Sequence, residues 1–146
     1  MATRTAAAIW EGNLRDGRGT VKLGSGMFEG AYSFASRFES GQGTNPEELI
    51  AAAHAGCFSM AFSAGLNRAN YSPVRIQTTA SVTVEMVGDG HQITEINLQM
   101  EAEVPGIDNE TFLRLAEAAK TGCPVSKALA AVPKITLDAR LLAPAG

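Results

Sequence analysis

Chemistry in this chain can start from two cysteines, Cys57 and Cys123, and from the histidine, arginine and acidic residues set around them. A thiol can attack an electrophile, bind a metal or join a second thiol, and its reactive form is the thiolate. Cys57 lies in the run Ala53-His54-Ala55-Gly56-Cys57-Phe58-Ser59-Met60. A cysteine in such an apolar run commonly serves as a small core hydrophobe. Burial there also raises the thiol pKa, so a reactive Cys57 requires a nearby cation. Cys123 stands between Gly122 and Pro124, where a helix can begin and where an anion is favoured. Its plainer reading is a loop cysteine beside a helix start. With two cysteines and no C-x-x-C spacing, neither a thioredoxin-type dithiol nor a zinc knuckle is expected.

His54 precedes Cys57 by three residues, so the two can share a helix face. A Cys–His pair suits a hydrolase or an acyl-transfer enzyme. The competing reading is a packed, hydrogen-bonded core histidine. His91 falls beside a turn and reads as exposed. Arg37 has no partner evident in the sequence and, alone, reads as a strand charge. Glu47 and Glu48 are fully explained as acids in the first turn of a helix.

These residues need elements to hold them. The first forty residues are rich in glycine and aromatics and read as short strands joined by glycine turns. In Tyr32–Phe38 the aromatics Tyr32, Phe34 and Phe38 fall on even positions, which places Arg37 on the opposite face of a strand. Asn45-Pro46-Glu47-Glu48 is a strong helix start: Asn45 caps, Pro46 fits the first position and the two acids suit the dipole. The helix runs to about Arg68 and ends at Asn70 to Pro73. Ile76, Thr78, Ala80, Val82, Val84 and Met86 alternate with polar residues, Gly88-Asp89-Gly90 turns, and Ile96, Leu98, Met100, Ala102 and Val104 alternate in the same way. That is a long hairpin with one wet and one dry face. Asp108 caps a second helix with Phe112, Leu115, Ala116 and Ala119 on one side, and Gly122 ends it. Pro124 to about Ala131 forms a third helix, and a last strand carries Ile135, Leu137, Ala139 and Leu141. Strands, long helix, hairpin, helices and strand make an α+β fold with helices packed on antiparallel sheet.

The 146 residues and 45% hydrophobic content suit one domain with a core of its own. Charged residues are only 18%, so part of the surface is expected to lie under a partner subunit. The net charge of -3 and the lack of a Lys/Arg cluster give no footprint for nucleic acid or an anionic membrane. Leu49–Leu66 carries no formal charge and approaches the length of a membrane span. Its alanines, glycines, serines and His54 fit a buried helix in a soluble core better. Met1–Trp10 lacks the pattern of a secretory signal.

Five segments carry a resemblance: Arg37-Phe38-Glu39, Gly43-Thr44-Asn45-Pro46-Glu47-Glu48-Leu49, Ala52-Ala53-His54-Ala55-Gly56-Cys57-Phe58-Ser59-Met60-Ala61, Val104-Pro105-Gly106-Ile107 and Gly122-Cys123-Pro124-Val125-Ser126. Together and in this order they resemble the signature segments of the OsmC family, the osmotically inducible hydroperoxide reductases. His54 and Pro124-Val125-Ser126 are closer to OsmC proper than to the sister group of organic hydroperoxide resistance proteins. The resemblance implies a single OsmC-like domain over residues 1–146, folded as an intertwined α+β homodimer. In that fold long central helices are covered by antiparallel sheets, and the sites lie at the subunit interface.

The resemblance also implies a cytoplasmic, peroxiredoxin-like enzyme that reduces organic hydroperoxides, and hydrogen peroxide less well, in oxidative and osmotic stress defence. Cys57 matches the peroxidatic cysteine and Cys123 the resolving one. Arg37 matches the arginine that holds the thiolate, and Glu47 the acid that orients this arginine; Glu48 fits that role less well by spacing. Along one straight helix ten residues span about 15 Å, so Glu47 cannot touch Cys57. Either Arg37 bridges part of the gap or Glu47 comes from the other subunit. No metal, flavin or haem is implied; the reductant is an external dithiol of lipoyl type. Two other readings compete: a hydrolase using Cys57 and His54, and a non-catalytic dimer that binds small hydrophobic ligands and can dispense with both cysteines.

Overall fold

The computed structural model describes residues 1–143. The chain divides into two compact units, Met1–Leu49 and Ile50–Gly146, described here in turn.

The first unit opens with three short antiparallel strands, β1 (Ala6–Glu11), β2 (Arg18–Leu23) and β3 (Glu29–Tyr32), in the order β1-β2-β3. Gly19 pairs with both Trp10 and Tyr32, whose rings meet at 5.4 Å. A side chain at Gly19 would run into both of them. After β3 the strand expected over Tyr32–Phe38 does not form. Instead Phe34–Phe38 is a one-turn helix, α1. The cause is local: the Ser33 side chain accepts the Ser36 N–H, and the Ser36 hydroxyl accepts the Ser33 N–H in return. This reciprocal cap satisfies two donors that a strand would have left to a ladder. Phe34 and Phe38, four residues apart, then stack on one side at 5.2 Å.

Helix α2 (Pro46–Arg68) starts as its sequence directs, with Asn45 Oδ1 accepting the Glu48 N–H at 2.7 Å. Gly43 makes the approach possible. Its φ is +122°, and a Cβ there would sit 2.7 Å from the Ala31 carbonyl oxygen, which accepts the Thr44 N–H.

In the second unit α2 continues to Arg68, and Asn70 turns the chain at φ +67°. Strands β4 (Arg75–Val87) and β5 (Gly90–Glu103) form the expected hairpin, with Ile76 opposite Ala102, Thr78 opposite Met100 and Ala80 opposite Leu98. A register shift at Thr83/Val84 interrupts the alternation; nothing in the composition announced it. Helix α3 (Asn109–Gly122) is capped by Asp108, whose carboxylate accepts the Thr111 N–H. Helix α4 is shorter than expected, Pro124–Ala128, a single turn. Strand β6 (Lys134–Leu141) returns parallel to β5.

The core lies where the dry face of β5 meets one stripe of α2 and one of α3. Phe58, Phe62, Leu66, Leu98, Met100, Ala102, Val104, Phe112, Ala116 and Ala119 pack as one cluster. Phe62 and Phe112 meet edge to face at 5.3 Å, a favoured aromatic geometry. Within the single chain α2 is covered on one side. Ala52, Ala53, Gly56, Met60 and Ala64 are exposed, Met60 to 76%. By length and composition α2 could also cross a membrane. The fold is α+β, with two small three-stranded sheets and helices.

Candidate active site

Each unit brings one pair of the residues singled out by sequence into contact. In the first unit Arg37, in the last turn of α1, meets Glu47 at the second position of α2. Arg37 Nε donates to Glu47 Oε1 at 2.9 Å and to Oε2 at 3.3 Å. This is one N–H shared between two oxygens, not a two-pronged fork. Glu47 thus grips the Nε edge, and the pair does not take up the two Nη groups. Glu47 is 7% exposed and Arg37 38%, so a buried acid anchors a guanidinium that still reaches the surface. The Arg37 guanidinium also lies 5.0 Å from the Phe38 ring centre, within range of a cation–π contact.

A polar frame that the sequence reading missed sets this geometry. The buried Ser36 hydroxyl donates to the Thr44 carbonyl at 2.7 Å, and Asn45 Nδ2 donates to the Ser36 carbonyl. These bonds tie α1 to the start of α2, so that Arg37 and Glu47 face each other. Glu48 is occupied elsewhere, accepting the Thr44 hydroxyl at 2.7 Å. Of the two adjacent acids, Glu47 is the one Arg37 meets. The signal for the frame was in the sequence as Ser33 and Ser36, three apart. The cap is usually sought with Glu or Gln at the second place.

In the second unit the two cysteines are free thiols with their sulfurs 2.8 Å apart. Cys57 projects from the middle of α2 and is partly exposed; Cys123, between α3 and α4, is buried. The surroundings treat them oppositely. Burial pushes the Cys57 thiol up, its contact with Cys123 adds to this, and the Val125 N–H draws it back only in part. Burial pushes Cys123 up too. The contact with Cys57, the Ser126 N–H and hydroxyl, and the Val125 N–H outweigh it and hold Cys123 below its ordinary value. Among the described residues no cation contributes to the Cys57 shift; a thiolate there would need a positive charge beside it.

His54 does not pair with Cys57. Its Nε2 lies 2.7 Å from the Ser126 hydroxyl, and its Nδ1 has no hydrogen-bond partner. The ring is fully buried, and burial lowers its pKa, which keeps it neutral. Neither ring nitrogen is bonded to a thiol, so the Cys–His pair that a hydrolase would use is not formed. Two open cavities of about 730 and 400 Å³ occur in this unit. Neither is lined by a cysteine or by His54. Among the described residues no group of three or more His, Cys, Asp and Glu is arranged to hold a metal ion.

Residues 39–138 match the family model described as OsmC-like protein. The chain belongs to the OsmC family. It is 51% identical over 135 residues to the Peroxiredoxin OsmC of Escherichia coli, covering 92% of this chain and 93% of that one. It is 32% identical over 98 residues to the Organic hydroperoxide resistance protein of Xanthomonas axonopodis pv. citri, covering 66% and 67% of the two chains. A solved OsmC-like protein of unknown function from Vibrio cholerae superposes with a TM-score of 0.73 at 14% identity, over 95% of this chain and 99% of that one. An organic hydroperoxide resistance protein OsmC from Legionella pneumophila does so with a TM-score of 0.68 at 23% identity, over 98% and 100%. At such identities the structural likeness speaks for the OsmC fold.

Proposed function

We propose that this OsmC-family chain is a cysteine-based peroxidase that detoxifies hydroperoxides through Cys57 and Cys123, acting as a single OsmC-like domain in a cytoplasmic homodimer. The observation that carries the reading is the 2.8 Å approach of two free thiols from separate helices. Closing that gap to the ~2.05 Å of a disulfide takes a movement of less than about 1 Å. The kinship with a Peroxiredoxin OsmC and an organic hydroperoxide resistance protein supplies the substrate class.

The Cys57 thiolate attacks the terminal oxygen of the hydroperoxide. An S–O bond forms, the O–O bond breaks, and the alkoxide leaves and takes a proton to become the alcohol. The product on the protein is a Cys57 sulfenic acid. The Cys123 thiolate then attacks Cys57 Sγ; the disulfide forms, and hydroxide leaves and becomes water. An external dithiol, of lipoyl type, reopens the bond by exchange and is itself oxidised. Phe58 beside Cys57 and the exposed Met60 one turn on favour organic hydroperoxides over hydrogen peroxide.

Arg37 is the cation this scheme requires. Its charge is permanent, and within about 4 Å of a thiolate it would lower the pKa by roughly one to three units. Glu47 orients it through Nε and leaves the Nη edge for the sulfur. The exposed apolar stripe of α2 and the absence of any buried apolar side chain among residues 1–49 support an intertwined dimer, with α2 a core helix of the assembly.

The test is a thiol count on reduced protein before and after one equivalent of tert-butyl hydroperoxide per subunit. Rapid loss of both thiols with a mass fall of two protons supports the cycle. Survival of both thiols refutes it.

A further inference from the structure

The proposed cycle uses neither His54 nor Ser126, yet both are buried and bonded to each other at 2.7 Å. His54 stands three residues before Cys57 on α2, and Ser126 stands three residues after Cys123 on α4. The two helices therefore carry two cross-links at matching positions: the sulfur pair and the His–Ser pair, one turn away. Only the first opens and closes.

The tautomer of His54 follows from its surroundings. A buried N–H without a partner costs more than a buried lone pair without one. Since Nδ1 has no partner, the ring proton sits on Nε2 and is donated to Ser126 Oγ. The Ser126 hydroxyl then has its own proton left to give. Ser126 also draws the Cys123 thiol below its ordinary value.

We propose that His54 and Ser126 are positioning residues for the resolving thiol: the His54–Ser126 bond ties α4 to α2 beside the sulfur pair and keeps Cys123 aimed at Cys57. This rests on the peroxidase reading above. In the step concerned, the Cys123 thiolate attacks Sγ of the Cys57 sulfenic acid. The S–S bond forms and the S–O bond breaks. Hydroxide takes a proton from solvent and leaves as water. Cys57 is reduced and Cys123 oxidised, with no further reactant. A donor on Cys123 raises the fraction of thiolate. The His54–Ser126 bond keeps α4 on α2, so that the sulfurs do not have to find each other.

The experiment separates the two chemical steps in single turnover with tert-butyl hydroperoxide, trapping the sulfenic acid with dimedone. Ser126→Ala and His54→Ala should slow disulfide closure about tenfold, the worth of one hydrogen bond to a charged group. Dimedone adducts should accumulate, while the initial attack by Cys57 stays close to wild type. His54→Gln, which keeps a donor at the same reach, should recover most of the closure rate. A second arm needs no peroxide: in a Cys57→Ser background, the pH midpoint for alkylation of Cys123 should rise when Ser126 becomes Ala. A purely structural role would not move that midpoint. Wild-type closure in Ser126→Ala, with an unmoved midpoint, would overturn the proposal. Failure of wild-type protein to oxidise at all would sink the peroxidase reading instead, and the alkylation midpoint would still decide the Ser126 contact.

Discussion

The two units hold their reactive groups by opposite means. Among residues 1–49 the buried side chains are Ser36, Thr44 and Glu47, all polar, and no apolar side chain is buried. Arg37 is placed there by a lattice of hydrogen bonds that reaches no dry core. Among the described residues of the second unit every buried side chain is apolar or a thiol except His54 and Ser126, which are bonded to each other. Phe58, Phe62 and Phe112 pack in the core cluster of this unit. The difference follows from the work each group is given. A guanidinium keeps its charge anywhere and needs only direction. A pair of sulfurs that must bond needs its two backbones held at a fixed separation, and packing provides that. The arrangement has a cost for the first unit. Ile9, Leu14 and Met27 are largely exposed, so the unit lacks the apolar burial from which a small fold usually draws its stability.

The largest effect should come from the packed side. Phe62→Ala removes a fully buried ring from the centre of the cluster and should cost about 3–5 kcal/mol in urea unfolding. Ile9→Ala in the first unit should stay within about 0.5 kcal/mol if that strand is as exposed as in the single chain. A loss for Ile9→Ala approaching that of Phe62→Ala, and growing as the protein is diluted, would break the contrast by showing that a second copy covers the first unit.

Next comes the cation that the proposed cycle requires. Arg37→Met keeps the apolar stem and removes the charge. It should raise the Cys57 pKa by roughly one to three units. At neutral pH the second-order rate with an organic hydroperoxide should then fall by about ten- to a thousandfold. Stopped-flow kinetics and the pH midpoint of iodoacetamide labelling measure the two quantities. Unchanged kinetics would mean that the second unit activates its own thiol. A smaller step distinguishes the two acids. Glu47→Gln should cost about tenfold in the same rate, since a charge-assisted bond to Nε becomes neutral. Glu48→Gln should leave the rate near wild type, because Glu48 serves Thr44.

Legibility in the sequence followed the same division. The second unit was readable because its core is built on repeating patterns. The alternation in β4 and β5, the Asp108 cap and the Phe112 stripe all follow from short-range patterns. The first unit is held by Ser33, Ser36, Thr44 and Asn45 reaching across loops, and such bonds leave no periodic trace. Hence Phe34–Phe38 read as a strand and folded as a helix. The pairing of Glu47 rather than Glu48 with Arg37 came from resemblance, and the geometry agrees with it. The bond from His54 to Ser126 joins residues 72 apart. Its one hint, the common spacing of three from each cysteine, means something only once the two helices are known to meet.

The smallest expected effect concerns that same histidine and tests how dry the second unit is. Burial holds the His54 pKa below its ordinary value. As pH falls through about 6.5, an unfolded chain takes up a proton that the folded one resists. Stability from this group is therefore complete above that pH and is lost as pH falls below it, by at most about 1.4 kcal/mol per pH unit. Urea unfolding of wild type and His54→Gln at about pH 7.5 and about pH 5.5 isolates the term. The glutamine variant should start less stable and lose less on acidification, because it has no proton to accept. Equal losses in the two proteins would mean that His54 is protonated without penalty. Water or an acid would then reach the ring, and the contrast between a dry second unit and a polar first one would not extend to the helix that carries Cys57.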